Sequence, residues 1–427
     1  MRFFMTDKTA MTDADKLILD MGQRARAAMT VLAGTPTAIK AKALTEAAKA
    51  LRADMAQVLA ANAKDMAAGA ERGLSPAMLD RLKLDDKRVE GIASALESVA
   101  VLPDPVGQVI DETVRPNGMQ LRRVRVPLGV VGIIFESRPN VTADAGALAM
   151  MAGNAAILRG GSEAMHSNRA IHAALLTGLK VAGLPEDAIQ LVPTTDRAAV
   201  GAMLRAAGLI DIIVPRGGKS LVARVQEEAR VPVLAHLDGI CHTYVHASAD
   251  PEMARAIVLN AKMRRTGICG AMETLLIDQN YPDPAGLVQG LIDKGCEVRG
   301  DDMVMELDPR TVAAVDEDWD TEYLEPICSV AMVEDEDAAM AHIARHSSHH
   351  TDAIVASDEA AAEKFLNGVD SAIVMWNASS QFADGGEFGL GAEIGISTGR
   401  MHARGPVALE GLTTYKWVVR GTGQCRP

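Results

Sequence analysis

The apolar positions of this chain change their period along its length. Over residues 13–101 they recur at helical spacing, most regularly over 41–60. That pattern predicts a covering helical layer. Thr35-Pro36 marks a helix start, with Thr as the cap and Pro at the first helical position. Pro76 opens another helix that runs to about Val101. Between 101 and 129 the pattern becomes strand-like on both sides of Pro116-Asn117-Gly118. Asn-Gly between two such runs signals a hairpin, and a hairpin projecting from an α/β domain suits an oligomerisation arm.

Beyond Val126, short continuous apolar runs alternate with helical stretches. Val130–Phe135, 155–158, 189–192, 209–214 and 231–235 read as strands, with helices over 143–152, 163–182, 198–207 and 220–229. Repeated strand–helix units of this length imply an open parallel sheet with helices on both faces. Two of the strands end in Arg-Gly-Gly, at Arg159-Gly160-Gly161 and Arg216-Gly217-Gly218. Ligands of such sheets bind beyond the carboxyl ends of the strands, where glycine lets backbone approach a phosphate at a helix N-terminus. Neither stretch is the GxGxxG fingerprint, so plain turns remain an equal reading. A second α/β region spans 236–375, with a helix over 284–295 and strands near 274–277, 329–333 and 353–355. The segment 371–427 is glycine-rich at first and ends in a strand over 412–419.

The 427 residues exceed one compact core and imply two or three domains. Five cysteines without paired spacing argue against a disulfide framework or a zinc site and fit a reducing compartment. No apolar run has the length of a membrane span, and the first residues lack the apolar core of a secretory signal; a short unstructured lead-in is expected there. A net charge of −13 disfavours nonspecific nucleic-acid binding but leaves an anionic small substrate open.

The candidate chemistry lies in LNAKMRRTGICGAMETLLID, residues 259–278. A helix over Pro251–Met263 leads into a loop with Arg264, Arg265 and Gly267, then Cys269, Gly270 and a strand. Positive charge from Lys262, Arg264 and Arg265 would favour the Cys269 thiolate, which is the nucleophilic form. The competing reading makes Cys269 a small buried filler. His342, His346, His349 and His350 invite a metal reading, but no carboxylate or cysteine set accompanies them, and they read as surface residues with no metal.

Six stretches occur in an order that carries a resemblance: VPLGVVGIIFESRPNVTADAGALAMMAGNAAILRGGSEA, IIVPRGGKSL, LAHLDGICHTYVH, NAKMRRTGICGAMETLLI, HTDAI and FGLGAEIGISTGRMHARGPVALEGLTTYKWVVRG. Together they resemble the γ-glutamyl phosphate reductase family of the aldehyde dehydrogenase superfamily, over nearly the whole chain after the first dozen residues. The resemblance implies an aldehyde dehydrogenase-like α/β fold: a Rossmann-type cofactor domain, an α/β catalytic domain and a β oligomerisation arm. The expected boundaries are 1–104 and 128–235 for the NADP-binding domain, with a return segment at about 377–396. The catalytic domain is expected at 236–376, and the arm at 105–127 and 397–427. The implied reaction reduces L-glutamyl 5-phosphate with NADPH to glutamate 5-semialdehyde and phosphate, the second step of proline biosynthesis from glutamate. A coenzyme-A-acylating aldehyde dehydrogenase uses the same thioester logic and is the alternative. A non-catalytic scaffold is a third reading. A cytoplasmic homo-oligomer, dimer or tetramer, is expected, with functional coupling to glutamate 5-kinase.

The resemblance also distributes roles. Cys269 takes the nucleophile position and Asn140 that of the amide that cradles the oxyanion. Arg159 and Ser162 fall where the superfamily meets the adenosine ribose; serine there, instead of glutamate, together with Arg159 admits a 2′-phosphate and favours NADP(H) over NAD(H). Gly217 and Gly218 open the helix expected at the pyrophosphate, and Glu322 aligns with the glutamate that holds the nicotinamide ribose. Arg138, Arg216, Arg264 and Arg265 are candidates for the substrate's carboxylate or phosphate. Ordinary members carry a general-base glutamate in ELGGK; His236 stands at the matching place in His236-Leu237-Asp238-Gly239, which spares a thioester from hydrolysis. Cys241, in the next strand-like run, reads as core.

Overall fold

The computed structural model describes residues 11–426, so the expected lead-in falls largely outside the described residues. The chain forms two compact units. The first holds the described residues up to Ala235, Leu390–Gly395 and 407–426; the second holds His236–Gly389 and Ile396–Pro406.

The first unit begins with the helical layer: α1 (Asp13–Leu32), α2 (Thr37–Ala53), α3 (Met55–Glu71), α4 (Pro76–Leu82) and α5 (Asp86–Ala100). Two details depart from the sequence pattern. The Thr35 hydroxyl donates back to the Val31 carbonyl at 2.9 Å, so Pro36 takes the cap position and α2 starts at Thr37. The helix expected from Pro76 to Val101 is broken after Leu82. Buried Asn62 pins that break, donating to the Leu82 carbonyl and accepting the Leu84 N–H, each at 2.8 Å. The 41–60 stretch is likewise two helices that meet at Asp54.

The hairpin forms as expected from β1 (Val109–Val114) and β2 (Gln120–Pro127), with Gly118 at φ +85° in the turn. The C-terminal strand Thr413–Arg420 pairs antiparallel with β2, from Thr413↔Pro127 to Arg420↔Gln120, and completes a three-stranded sheet. Next come β3 (Val130–Phe135), α6 (Val141–Met151), β4 (Ala155–Gly160), α7 (Met165–Ala182), β5 (Ile189–Leu191), α8 (Ala198–Leu204), β6 (Ile212–Arg216) and α9 (Lys219–Glu228). The four strands form a parallel sheet in the order β5-β4-β3-β6, and every residue of β3 is buried. The expected strand at 231–235 is reduced to a single bridge, Ile213↔Val233, because Pro232 has no N–H to donate to a ladder.

The second unit contains β7 (Cys241–Val245), α10 (Pro251–Met263), β8 (Met272–Asp278), α11 (Pro284–Asp293), β9 (Glu297–Gly300), α12 (Asp302–Met305), β10 (Val312–Ala313), β11 (Ile327–Val333), α13 (Glu336–His346), β12 (Thr351–Val355), α14 (Glu359–Gly368) and β13 (Ile373–Trp376). Its seven strands are parallel in the order β10-β9-β11-β8-β7-β12-β13. Val258 of α10 packs with Met272 and Leu275 of β8, Val330 of β11 and Leu287 of α11 in the core on one face. The chain stays in this unit to Gly389, later than the expected return at 377. Gln381 holds it there, its amide donating to the carbonyls of Ala261 (2.8 Å) and Arg265 (3.1 Å).

Candidate active site

Three central strands of the seven-stranded sheet determine what meets around Cys269. In the order β8-β7-β12 the register pairs Cys241 with Met272, and Asp352 with His242. Because the strands are parallel and aligned, the segments that precede them converge at the amino edge: 236–240 before β7, 268–271 before β8 and 348–350 before β12. Cys269 therefore lies half-buried at the meeting of three loops, with His236 also half-buried and His350 fully buried. The ligating atoms of His236, Cys269 and His350 lie within 4.8 Å of one another. Burial pushes the His350 imidazole down to about 3, helped by His236, so it is neutral near pH 7. His236 and His350 pack edge to face, with ring centroids 4.9 Å apart.

The backbone of this cluster is tightly specified. A Cβ at Gly239 would stand 2.3 Å from the Cys269 carbonyl oxygen and 2.6 Å from its Cα, so only glycine permits the approach. The Gly239 N–H donates to Glu322 Oε1 at 3.0 Å, and the Cys241 thiol donates to the Cys269 carbonyl at 3.1 Å. Cys241 is fully buried, as its strand-like run implies, and its thiol is pushed well up by burial. These contacts fix where the Cys269 backbone sits.

Of the three basic neighbours, Lys262 departs from the sequence expectation. Lys262 is fully buried and ion-paired with equally buried Glu273 of β8, so its charge is compensated inside the fold. Arg264 and Arg265 are exposed, Arg264 reaching the Gln381 carbonyl oxygen at 3.4 Å. The four histidines also separate. His349 is exposed and faces the Asp370 carbonyl; His346 meets Asp320 at 2.8 Å; His342 lies tilted against His346, ring centroids 4.7 Å apart. His350, read as a surface residue, is buried. The sequence pattern groups His350 with its neighbours and Gly239 with His236, but their meeting with Cys269 depends on the order of parallel strands, which no local pattern carries.

In the first unit, the sites assigned to a nucleotide lie at the carboxyl edge of its sheet, where open α/β sheets bind ligands. Arg159, next to last in β4, is 8% exposed and donates to the Thr195 carbonyl at 3.0 Å; its buried Nε has no partner. A cleft beside it is lined by Gly160, Gly161, Arg169, Val192 and Thr194. Ser162 is exposed at the helical turn that leads into α7. Gly217 and Gly218 precede α9 as expected, and the Gly218 N–H donates to Glu136 Oε2 at 3.1 Å. Glu136 was not singled out from the sequence, yet its carboxylate takes the amide assigned to a phosphate. Asn140 caps α6 without a capping bond; its amide donates to Asp144 Oδ2 at 2.8 Å. Burial pushes the Asp144 carboxyl up to about 6, against the Asn140 hydrogen bond and the charge of Arg216. Arg138 and Arg216 are half-buried.

An amino-edge cysteine in one parallel sheet and a nucleotide-type edge in another define an aldehyde dehydrogenase-like enzyme. The sequence model of the Aldehyde dehydrogenase family matches residues 8–306. The chain is 72% identical over 418 residues to the γ-glutamyl phosphate reductase of Rhizorhabdus wittichii, covering 98% of this chain and 97% of that protein. It is 63% identical to the enzyme of the same name from Zymomonas mobilis, over 96% of this chain and 97% of that protein. The crystal structure of γ-glutamyl phosphate reductase from Thermotoga maritima superposes with a TM-score of 0.94 at 42% identity, over 96% of this chain and all of that one. The chain therefore belongs to the γ-glutamyl phosphate reductase family of aldehyde dehydrogenase-type oxidoreductases. An acetylating aldehyde dehydrogenase from Geobacillus thermoglucosidasius shares the fold at 16% identity and a TM-score of 0.69, over 97% of this chain and 98% of that one. The family uses a nicotinamide cofactor.

Proposed function

We propose that this chain reduces L-glutamyl 5-phosphate to L-glutamate 5-semialdehyde with release of phosphate, the second step of proline biosynthesis from glutamate. The observation that carries this is Cys269, accessible on a loop whose backbone is fixed from two sides, in a chain 72% identical to a reductase of that name. Cys269 Sγ attacks the acyl carbonyl and phosphate leaves, which forms a thioester. The nicotinamide, when bound, supplies a hydride to the thioester carbonyl. Asn140 donates its amide N–H to the oxyanion of each tetrahedral stage. Collapse of the reduced adduct releases the aldehyde and returns the cysteine.

His236 Nδ1 faces the Ile396 carbonyl at 2.7 Å. A carbonyl only accepts, so Nδ1 carries the hydrogen and the other ring nitrogen is bare in the neutral ring. That nitrogen receives the Cys269 proton on acylation. A histidine here, where ordinary members keep the glutamate that activates water, preserves the thioester for reduction.

The cofactor residues fit NADP(H). The buried Arg159 guanidinium with an unpartnered Nε suits a 2′-phosphate, and exposed Ser162 brings no repelling carboxylate. Glu322 serves the nicotinamide ribose and Gly217-Gly218 the pyrophosphate. Arg138, Arg216, Arg264 and Arg265 supply the charge for substrate carboxylate and phosphate. The enzyme is a cytoplasmic homo-oligomer joined through the three-stranded sheet, and acts with glutamate 5-kinase, which supplies the labile acyl phosphate. The test is NADPH absorbance with glutamyl phosphate, and phosphate-dependent oxidation of the semialdehyde in reverse. Cys269→Ser and Cys269→Ala abolish both while the far-ultraviolet circular dichroism persists. Turnover that survives either substitution, or oxidation that needs coenzyme A instead of phosphate, overturns the proposal.

A further inference from the structure

The histidine pair beside Cys269 has a geometry that thioester chemistry alone does not explain. His236 and His350 each engage Nδ1 elsewhere: His236 with the Ile396 carbonyl at 2.7 Å, His350 with the Thr351 hydroxyl at 2.9 Å and, more loosely, the Cys241 sulfur at 3.7 Å. A metal-binding histidine has one ring nitrogen held by a carbonyl or hydroxyl while the other meets the ion. His350 Nε2 is buried and has no partner. A buried polar atom without a partner costs about 1–3 kcal/mol and calls for an occupant. Cys269 completes the set, and the three ligating atoms already lie within 4.8 Å.

We propose that His236, Cys269 and His350 form an inhibitory site for a thiophilic divalent cation of the zinc class, which holds the enzyme reversibly off by occupying its nucleophile. Two imidazole nitrogens and one thiolate, with a fourth position open to solvent, match the ligand preference of Zn²⁺. Zn–N near 2.0 Å and Zn–S near 2.3 Å place tetrahedral ligands roughly 3.3–3.6 Å apart. The triad must therefore contract by up to about 1.5 Å. His236 and Cys269 are half-buried on loops, so the approach to buried His350 falls to those loops, with the His236 Nδ1 contact to the Ile396 carbonyl kept. On binding, the thiol releases its proton to solvent and the sulfur takes the cation as its partner. Acylation and metal binding use the same sulfur and exclude each other. His350 is the residue that separates this site from simple capture by a thiol.

Coordination does not depend on the reading of Cys269 as nucleophile; the inhibition does. The test is a Co²⁺ titration of the chelator-treated full chain, followed by absorbance. One equivalent of Co²⁺ is expected to give thiolate-to-cobalt charge transfer together with the intense d–d bands of four-coordinate cobalt. Cys269→Ser removes the charge transfer. His350→Gln and, independently, the half-exposed His236→Ala weaken binding at least tenfold, each checked for fold by circular dichroism. Zn²⁺ inhibits turnover of the parent enzyme in the same concentration range, a chelator restores it, and prior acylation by glutamyl phosphate blocks both effects. Absence of charge transfer at millimolar Co²⁺, or bands that survive both histidine substitutions unchanged, overturns the site. A normal cobalt spectrum with turnover indifferent to Zn²⁺ overturns the inhibitory role and also counts against Cys269 as nucleophile, which the Cys269→Ser assay then decides separately.

Discussion

Gly239→Ala probes how far the chemistry depends on the loop before β7. A methyl group there stands 2.3 Å from the Cys269 carbonyl oxygen, 2.6 Å from its Cα and 2.7 Å from its Cβ. Ordinary contact begins at 3.4 Å, so the two backbones must part by about 1 Å. The atoms in the way are main chain, with no flexible side-chain tip to swing aside. Neither loop yields freely: Cys241 is paired to Met272 two residues on, and the Cys241 thiol and Glu322 each hold one side of the approach. A displacement of that size at a reacting group costs on the order of 100-fold in rate, or about 2.7 kcal/mol of activation free energy. Overpacking adds about 1–3 kcal/mol of destabilisation. The assay pairs kcat with the rate at which iodoacetamide alkylates Cys269, and a thermal melt reports stability. Gly91→Ala serves as control. Gly91 lies inside α5 with open space where the methyl would go, so it should gain up to about 1 kcal/mol and keep full activity. A kcat for Gly239→Ala within threefold of the parent, with an unchanged melt, refutes the reasoning.

Three further outcomes follow from the same contacts. Lys262→Met leaves buried Glu273 without its partner and pushes its carboxyl, already raised to about 7 by burial, further up into the neutral form, a loss of up to about 3–5 kcal/mol in chemical denaturation, and Lys262→Met with Glu273→Leu together recovers most of it; a single substitution as stable as the parent contradicts the pair. Asp144 is raised from 3.8 to about 6, so its ionisation penalises the folded state: the penalty is absent below pH 4, grows from there and is complete above pH 6, at most about 3 kcal/mol. Asp144→Asn should therefore raise stability at pH 8 and leave it unchanged at pH 4, and an equal effect at both refutes the assignment. Glu136→Ala frees the Gly218 N–H at the start of α9 and should lower the KM for NADPH about two- to fivefold, from about 0.3–1 kcal/mol; a higher KM shows that Glu136 helps the cofactor.

What the sequence made legible, and what it hid, divides along the reach of each interaction. Val130–Phe135 was readable to the residue, and the helix from Pro251 to about Met263 nearly so. The first is apolar throughout because both faces of its sheet are covered, and the second opens on Asp250-Pro251, whose carboxylate accepts the Met253 N–H at 2.9 Å. Such signals are local. The break at Asp54 was hidden because alanine-rich sequence keeps its helical period across it; the one at Lys83 was hidden because it is held by Asn62, about twenty residues away. The active-site loop was legible as a loop with a cysteine, but the direction in which one of its three basic neighbours points was not. Lys262 precedes Cys269 by seven residues in sequence, yet it turns into the core to meet Glu273, whose inward direction follows from the pleat of β8. His350 shows the same limit more sharply. In sequence it belongs to a polar cluster with His346 and His349; in the fold β12 lies beside β7, and β7 beside β8, so His350 joins Cys269 across eighty residues of chain. Neighbour order in a parallel sheet is set by crossover connections and leaves no periodic trace along the strands. Chemistry assembled at the amino edge of three adjacent parallel strands is therefore nearly invisible to local pattern, and the residues that complete it emerge only once the register is known.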